Sequence, residues 1–249
     1  MDTHSLPHGL RRVAFAIVAI SAISLLSACS SSPPDLSPSA SPTASDPAPT
    51  VASDVPLEEQ LYDALRAGDV DLTTAVLAAG ADVNAELAPD STAITIAVVR
   101  NDAGLVAAVL AANPDLTAPE GGMPLLNAAC RQGVSGDVVE LLLDAGAPLD
   151  DASPDDVGSL AIHECAYSGS SDAIDVLLEH GVDVNARQNV YGATPLIVAS
   201  WQGHADLVVH LIDVGADPRL TTNDGATARD WALVGGYQNV ADLLANEGG

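Results

Sequence analysis

Residues 192–218 read GATPLIVASWQGHADLVVHLIDVGADP. Two short apolar stripes are written into this stretch. Leu196 and Ala199 are three apart, and Leu207, Val208, Leu211 and Ile212 follow an i, i+1, i+4, i+5 pattern, so each set falls on one side of a short helix. The punctuation agrees. Pro195 suits a first helical turn, where its missing N–H has no partner to lose. Asp206 opens the second stripe, where a carboxylate meets the positive end of the helix dipole. Gly203 and Gly215 close the two stripes as residues that accept a left-handed backbone. The spacing predicts a helix–turn–helix unit. Trp201 stands out in it, at the end of the first helix, and is either core or display.

The unit has copies. TAITIAVVRND, MPLLNAACRQG, LAIHECAYSGS, TPLIVASWQGH and TARDWALVGGY align on one small residue, and QLYDALRAGD aligns with them. The small residues are Ala64, Ala97, Ala128, Cys165, Ala199 and Ala232, at intervals of 33, 31, 37, 34 and 33. The second half of the unit recurs in VLAAGADVNA (76–85), LLDAGAPLD (142–150), LLEHGVDVNA (177–186) and LIDVGADP (211–218). A small residue in a fixed slot lets neighbouring helices approach closely, and two short helices cannot close a core alone, so the units stand as a stack.

The fixed small residue, the T-P-L opening and the G-A-D-V-N-A ending resemble the ankyrin repeat. That resemblance implies an all-α ankyrin-repeat solenoid of about six helix-turn-helix units with short β-hairpin-like connections. It covers 57–249, with units at approximately 57–88, 89–119, 120–156, 157–190, 191–223 and 224–249. Unit one begins with Glu58, Glu59 and Gln60, and unit six carries Arg229 and Asp230 and ends in NEGG, so both read as polar caps. Unit two lacks the Pro and has Asn101 in place of Gly, which marks a weaker unit. The long step between units three and four predicts an enlarged acidic loop at 148–158.

Composition sets limits on function. The chain is 48% hydrophobic but only 3% aromatic, so its core is thin and built from Ala, Val and Leu. Its net charge of −26, with all eight basic residues Arg, argues against nucleic acid and anionic lipid surfaces as primary ligands.

The N-terminus reads as a targeting segment. Arg11 and Arg12 precede an apolar stretch, Val13 to Leu26, that is shorter than the about 20 residues of a membrane span. It ends in Leu26-Ser27-Ala28-Cys29, which resembles the bacterial lipobox. The resemblance implies cleavage before Cys29, lipidation of Cys29, and a protein anchored at the extracytoplasmic side of a membrane without spanning it. Residues 1–28 are then a signal peptide. Residues 29–56 form a Ser/Pro/Ala-rich tether with almost nothing to bury, expected to be disordered and to reach about 80 Å if extended.

No catalytic constellation is visible. His4 and His8 lie in the signal segment; His163 and His204 fall on positions where the family's His ties turns together; His180 sits at a helix end; His210 replaces an aliphatic residue. No pair has metal-ligand spacing, and the Asp150, Asp151, Asp155, Asp156 run lacks the pattern of a calcium loop. Neither cofactor nor metal is expected. Cys130 and Cys165 lie two positions out of register on adjacent units. With helix axes about 8–10 Å apart and a disulfide limit of about 6.8 Å between Cα atoms, they are expected to remain unbridged.

The family's usual work is to hold another protein in a concave groove. The two residues after its small pair line that groove, which implies Arg66, Arg100, Arg131, Tyr167, Trp201 and Gln202 here. Arg, Tyr and Trp are the types enriched at binding hot spots. The competing reading has Arg131 balancing nearby Asp, with Tyr167 and Trp201 leaning on adjacent helices. The expectation is a non-enzymatic, monomeric, envelope-anchored module or scaffold that binds a protein, with its only membrane contact through the N-terminal lipid. The alternative is an inhibitor or immunity protein that neutralises an exported enzyme or toxin.

Overall fold

The computed structural model describes residues 51–52, 54–117, 123–149, 151–152 and 158–247. Cys29, the signal segment, residues 30–50 and most of the acidic 148–158 stretch lie outside the described residues.

Twelve helices form six pairs among the described residues. Unit one holds α1 (Leu57–Ala67) and α2 (Val70–Ala78); unit two, α3 (Ala93–Val99) and α4 (Ala103–Leu110). Unit three holds α5 (Leu125–Gln132) and α6 (Gly136–Asp144); unit four, α7 (Ala161–Ser168) and α8 (Ser171–Glu179). Unit five holds α9 (Pro195–Gln202) and α10 (Ala205–Asp213); unit six, α11 (Ala228–Gly235) and α12 (Gln238–Asn246). This is the all-α ankyrin-type solenoid that the repeat implies. Among the described residues, isolated antiparallel bridges, Ala88–Ser91 and Thr221–Thr227, mark two of the connections between units.

Each helix has at most 11 residues, too short to be stable alone, so tertiary burial carries the fold. First helices pack on first helices along the whole array, and each packs on its own second helix. The aligned slot is buried in every unit: Ala64, Ala97, Ala128, Cys165, Ala199 and Ala232. Around it sit large residues drawn mostly one per helix, such as Leu126 and Leu142 in unit three and Leu196 and Leu211 in unit five. At about 1.5–3 kcal/mol per buried side chain of this kind, no single pair closes a core.

The acidic residues cap and stitch. Asp69 accepts from Leu72 N at 2.8 Å, and Asp102 accepts from Gly104 N and Leu105 N at 3.0 and 3.1 Å. Asp172 does more than favour its own helix dipole: its Oδ2 accepts from Gly136 N of the preceding unit at 2.8 Å. In unit two, Asn101 takes the left-handed conformation (φ 53°) that Gly203 (φ 79°) holds in unit five. The Asn101 side chain gains a bond that Gly lacks, accepting from Ser135 N at 2.8 Å. In unit six, Thr227 and Asp230 form a reciprocal capping box. Residues at the end of the Pro-rich stretch are held by the first unit: Gln60 bonds the backbone of Ala52 through both its amide atoms and also donates to Val55 O.

One expectation is corrected. Cys130 and Cys165 form a disulfide, with Cα atoms 4.4 Å apart. The spacing of helix axes is an average and does not bound one residue pair. Ala128, Ala129, Ala161 and Ala166 are all buried on α5 and α7, and their small side chains let the two backbones close.

Candidate binding face

The expected groove residues sit at two and three positions past the aligned small residue, near the C-terminal ends of the first helices. Arg66 is exposed on α1, with its guanidinium 5.6 Å from the Tyr62 ring centre. Arg100, also exposed, reaches back to donate to Arg66 O at 2.7 Å. These two form one group.

Arg131, Tyr167 and Trp201 form a second. Arg131 Nε lies 2.9 Å from Glu164 Oε2, and its guanidinium stands 5.7 Å from the Tyr167 ring centre. Tyr167 is 6.3 Å from Trp201, and Trp201 is 6.4 Å from Trp231 in an edge-to-face pair. The three ring distances suit attractive cation–π and aromatic contacts. The result is a row across four units: Arg131, Tyr167, Trp201, Trp231. Trp201 is half-buried, neither full core nor free display. Gln202, beside it, is half-buried as well.

Glu164 and Trp231 were missed by sequence reasoning. Both occupy the position just before the aligned small residue, and both are almost completely buried, at 2% and 3% exposed. That position lies one helical turn behind the groove slots, on the same side of the helix. Long side chains on a helix lean back toward its N-terminus, over the preceding turn. Side chains at the end of one first helix therefore roof the position before the small residue on the next: Arg131 over Glu164, Trp201 over Trp231. Cys130 meets Cys165 through a smaller shift of two positions. The signal in the sequence was the i, i+3 relation of Glu164 to Tyr167.

The histidines hold backbone. His163 Nδ1 accepts from Leu160 N at 3.2 Å, which leaves Nε2–H to donate to Ala186 O at 3.0 Å. Burial is the main reason its pKa falls from 6.5 to about 4. His204 Nε2 bonds Tyr167 O at 2.9 Å and so fixes the backbone beneath one ring of the row. On the second helices, His210 meets Asp175 at 2.6 Å and His180 meets Glu140 at 3.2 Å. Glu140, Asp144 and His180 bring three donor atoms within 4.8 Å of one another, a grouping from two units that local spacing does not reveal.

The family description "Ankyrin repeats (3 copies)" matches at 95–188, 125–222 and 162–249. The chain belongs to the ankyrin repeat family. Ankyrin arrays are protein–protein interaction modules. Ankyrin repeat protein nuc-2 of Neurospora crassa is 35% identical over 120 residues, 48% of this chain and 11% of that protein. Human protein phosphatase 1 regulatory subunit 27 is 36% identical over 73 residues, 29% of this chain and 47% of that protein. An ankyrin repeat protein of Neisseria meningitidis serogroup B is 42% identical over 67 residues, 27% of this chain and 26% of that protein. The ankyrin array thus aligns with less than half of each relative's length.

Proposed function

We propose that the array holds a protein partner against its first-helix face, across Arg131, Tyr167, Trp201 and Gln202, and that it is a binding module rather than an enzyme. We further propose that a lipid on Cys29 keeps it at the extracytoplasmic side of a bacterial membrane. The row itself carries the binding reading. In a chain with 3% aromatic residues, three rings and a guanidinium are gathered along one line. Glu164 and Tyr167 pre-set Arg131, so little side-chain entropy remains to be lost on binding. Glu164 already matches the charge of Arg131, so the partner meets Arg131 as a flat, half-neutralised plate beside rings. Apolar and aromatic groups suit that strip, and acidic groups suit Arg66 and Arg100.

The name of the human relative, a phosphatase regulatory subunit, favours a second form of this reading in which the partner is an exported enzyme or toxin held inactive. The two forms differ in whether binding lowers an activity of the partner.

The full chain, captured with its partner from solubilised envelope, provides the test. Trp201→Ala should weaken binding by about 2 kcal/mol, a roughly 30-fold rise in Kd. Val209, 42% exposed on α10, is the control, and Val209→Ala should leave the affinity alone. Equal losses from both variants would place the partner elsewhere. Cys29→Ala should release the protein from the membrane fraction or leave it uncleaved; wild-type fractionation and migration of that variant would refute the anchor.

A further inference from the structure

Cys130 and Cys165 are bonded across the seam between α5 and α7, and neither is exposed to solvent. The repeat does not ask for them. Every other unit places Ala in the slot of Cys165, and the slot of Cys130 holds Arg66, Val99, Tyr167, Trp201 and Val234 elsewhere. The seam differs from the rest in another way. It is spanned by the longest step of the array, 37 residues between aligned slots. It also carries the Arg131–Glu164 ion pair, where the row of the binding face begins.

We propose that Cys130 and Cys165 are a site of oxidative modification that locks units three and four together, and that the oxidant is a protein presenting a reactive disulfide. One cysteine thiolate attacks the oxidant's disulfide, forming a mixed disulfide and releasing one oxidant thiol. The second thiolate attacks the array sulfur of that mixed disulfide, closes Cys130–Cys165 and releases the other oxidant thiol. Two thiols are oxidised and one disulfide is reduced; the two protons pass to the oxidant's sulfurs.

Burial dictates the order of events. In the closed stack both sulfurs are inaccessible, so exchange precedes the docking of α7 on α5. After docking, a reductant reaches the bond only through opening of the seam. Oxidants of this class act on newly delivered chains in extracytoplasmic compartments. The bridge therefore argues for export from the array itself, independently of the Leu26–Cys29 segment. Its effect on the binding face rests on the reading above; the bridge does not.

The experiment uses the full chain produced with export, alkylated and digested with trypsin. Cleavage after Arg100, Arg131 and Arg187 puts the two cysteines on peptides 101–131 and 132–187. These should run as one linked mass that separates on reduction. A reductant in native buffer should leave the link intact over a period that fully reduces it in urea. Cys165→Ala restores the residue found in every other unit, so packing is kept while the bond is lost. It should lower Tm by on the order of 10 °C and abolish the response of Tm to reductant in urea-pretreated samples. Cys130→Val, with the residue of units two and six, should do the same if Cys165→Ala does not fold. Unlinked peptides in exported protein, equally fast reduction in native buffer, or wild-type Tm in both variants would each overturn the proposal. Retention of the link in a Cys29→Ala chain released from the membrane would leave it standing while separating it from the anchor.

Discussion

His163 shows what one residue can hold in a unit of this size. Its ring accepts a hydrogen bond from the turn before α7 and donates one to the turn after α8, so a neutral imidazole closes unit four at both ends. Protonation would remove the acceptor at Nδ1 and place a charge in the core. The folded ring titrates near 4 and the free one near 6.5. Above pH 6.5 neither form is charged, and the full stability is present. As pH falls below 6.5 the unfolded chain takes the proton first, and stability is lost until the folded ring also titrates near 4. The loss is about 3 kcal/mol over that window. Thr95 offers an alternative from this same array, since its hydroxyl accepts from Thr92 N at 2.9 Å in the equivalent slot. His163→Thr should therefore give a less stable protein at pH 7 but a flatter Tm profile between pH 6.5 and 5, where few carboxylates titrate. Parallel profiles for wild type and variant would show that another group carries the acid sensitivity. The slot of His163 was legible from the repeat. Its second bond, to Ala186 on the far side of α8, was not, because local spacing says nothing about which turn folds back.

Helix boundaries were the most legible feature at the scale of the element, because each is written by one or two residues. Pro195 lies in the first turn of α9, and Gly203 follows it with the left-handed backbone its position requires. Even the departures could be read once their chemistry was considered. Asp230, which breaks the family's pattern, does the work of His163 by accepting from Thr227 N at 2.9 Å. The relation between neighbouring helices was not legible. Alignment on the small residue pairs equal positions, as it does Tyr167 with Trp201, but does not show how far a long side chain reaches back over the neighbouring helix. Hence the buried Glu164 beneath Arg131, the buried Trp231 beneath Trp201, and a disulfide between positions that alignment set apart. The close approach of α9 and α11 was not legible either. A Cβ at Gly235 would collide with the carbonyl oxygen of Trp201, so the last first-helix reaches the row only because that position is bare.

For the whole array, stability is a sum of weak units and the seams between them. The seam between units four and five is made of named contacts. His204 bonds Tyr167 O, His210 meets Asp175, and Asn185 bonds both Asp217 N and Gly215 O. Behind them, Ile162, Ile174 and Leu177 are fully buried. Ending the chain after residue 190 would strip Trp201 from Tyr167, leave Asn185 without its cross-unit partners, and open this apolar side to water with no polar cap over it. Unit six, by contrast, carries its cap with it: Val240, Ala241 and Leu244 face inward on α12, while Gln238 and Asn239 face solvent. The truncated chain should aggregate or melt well below the full array, although its four remaining units keep every local helix signal intact. Circular dichroism melts and light scattering of the two chains make the comparison. A soluble truncation with an unchanged Tm would mean that each unit stabilises itself, and the thin Ala-rich core would then need another explanation.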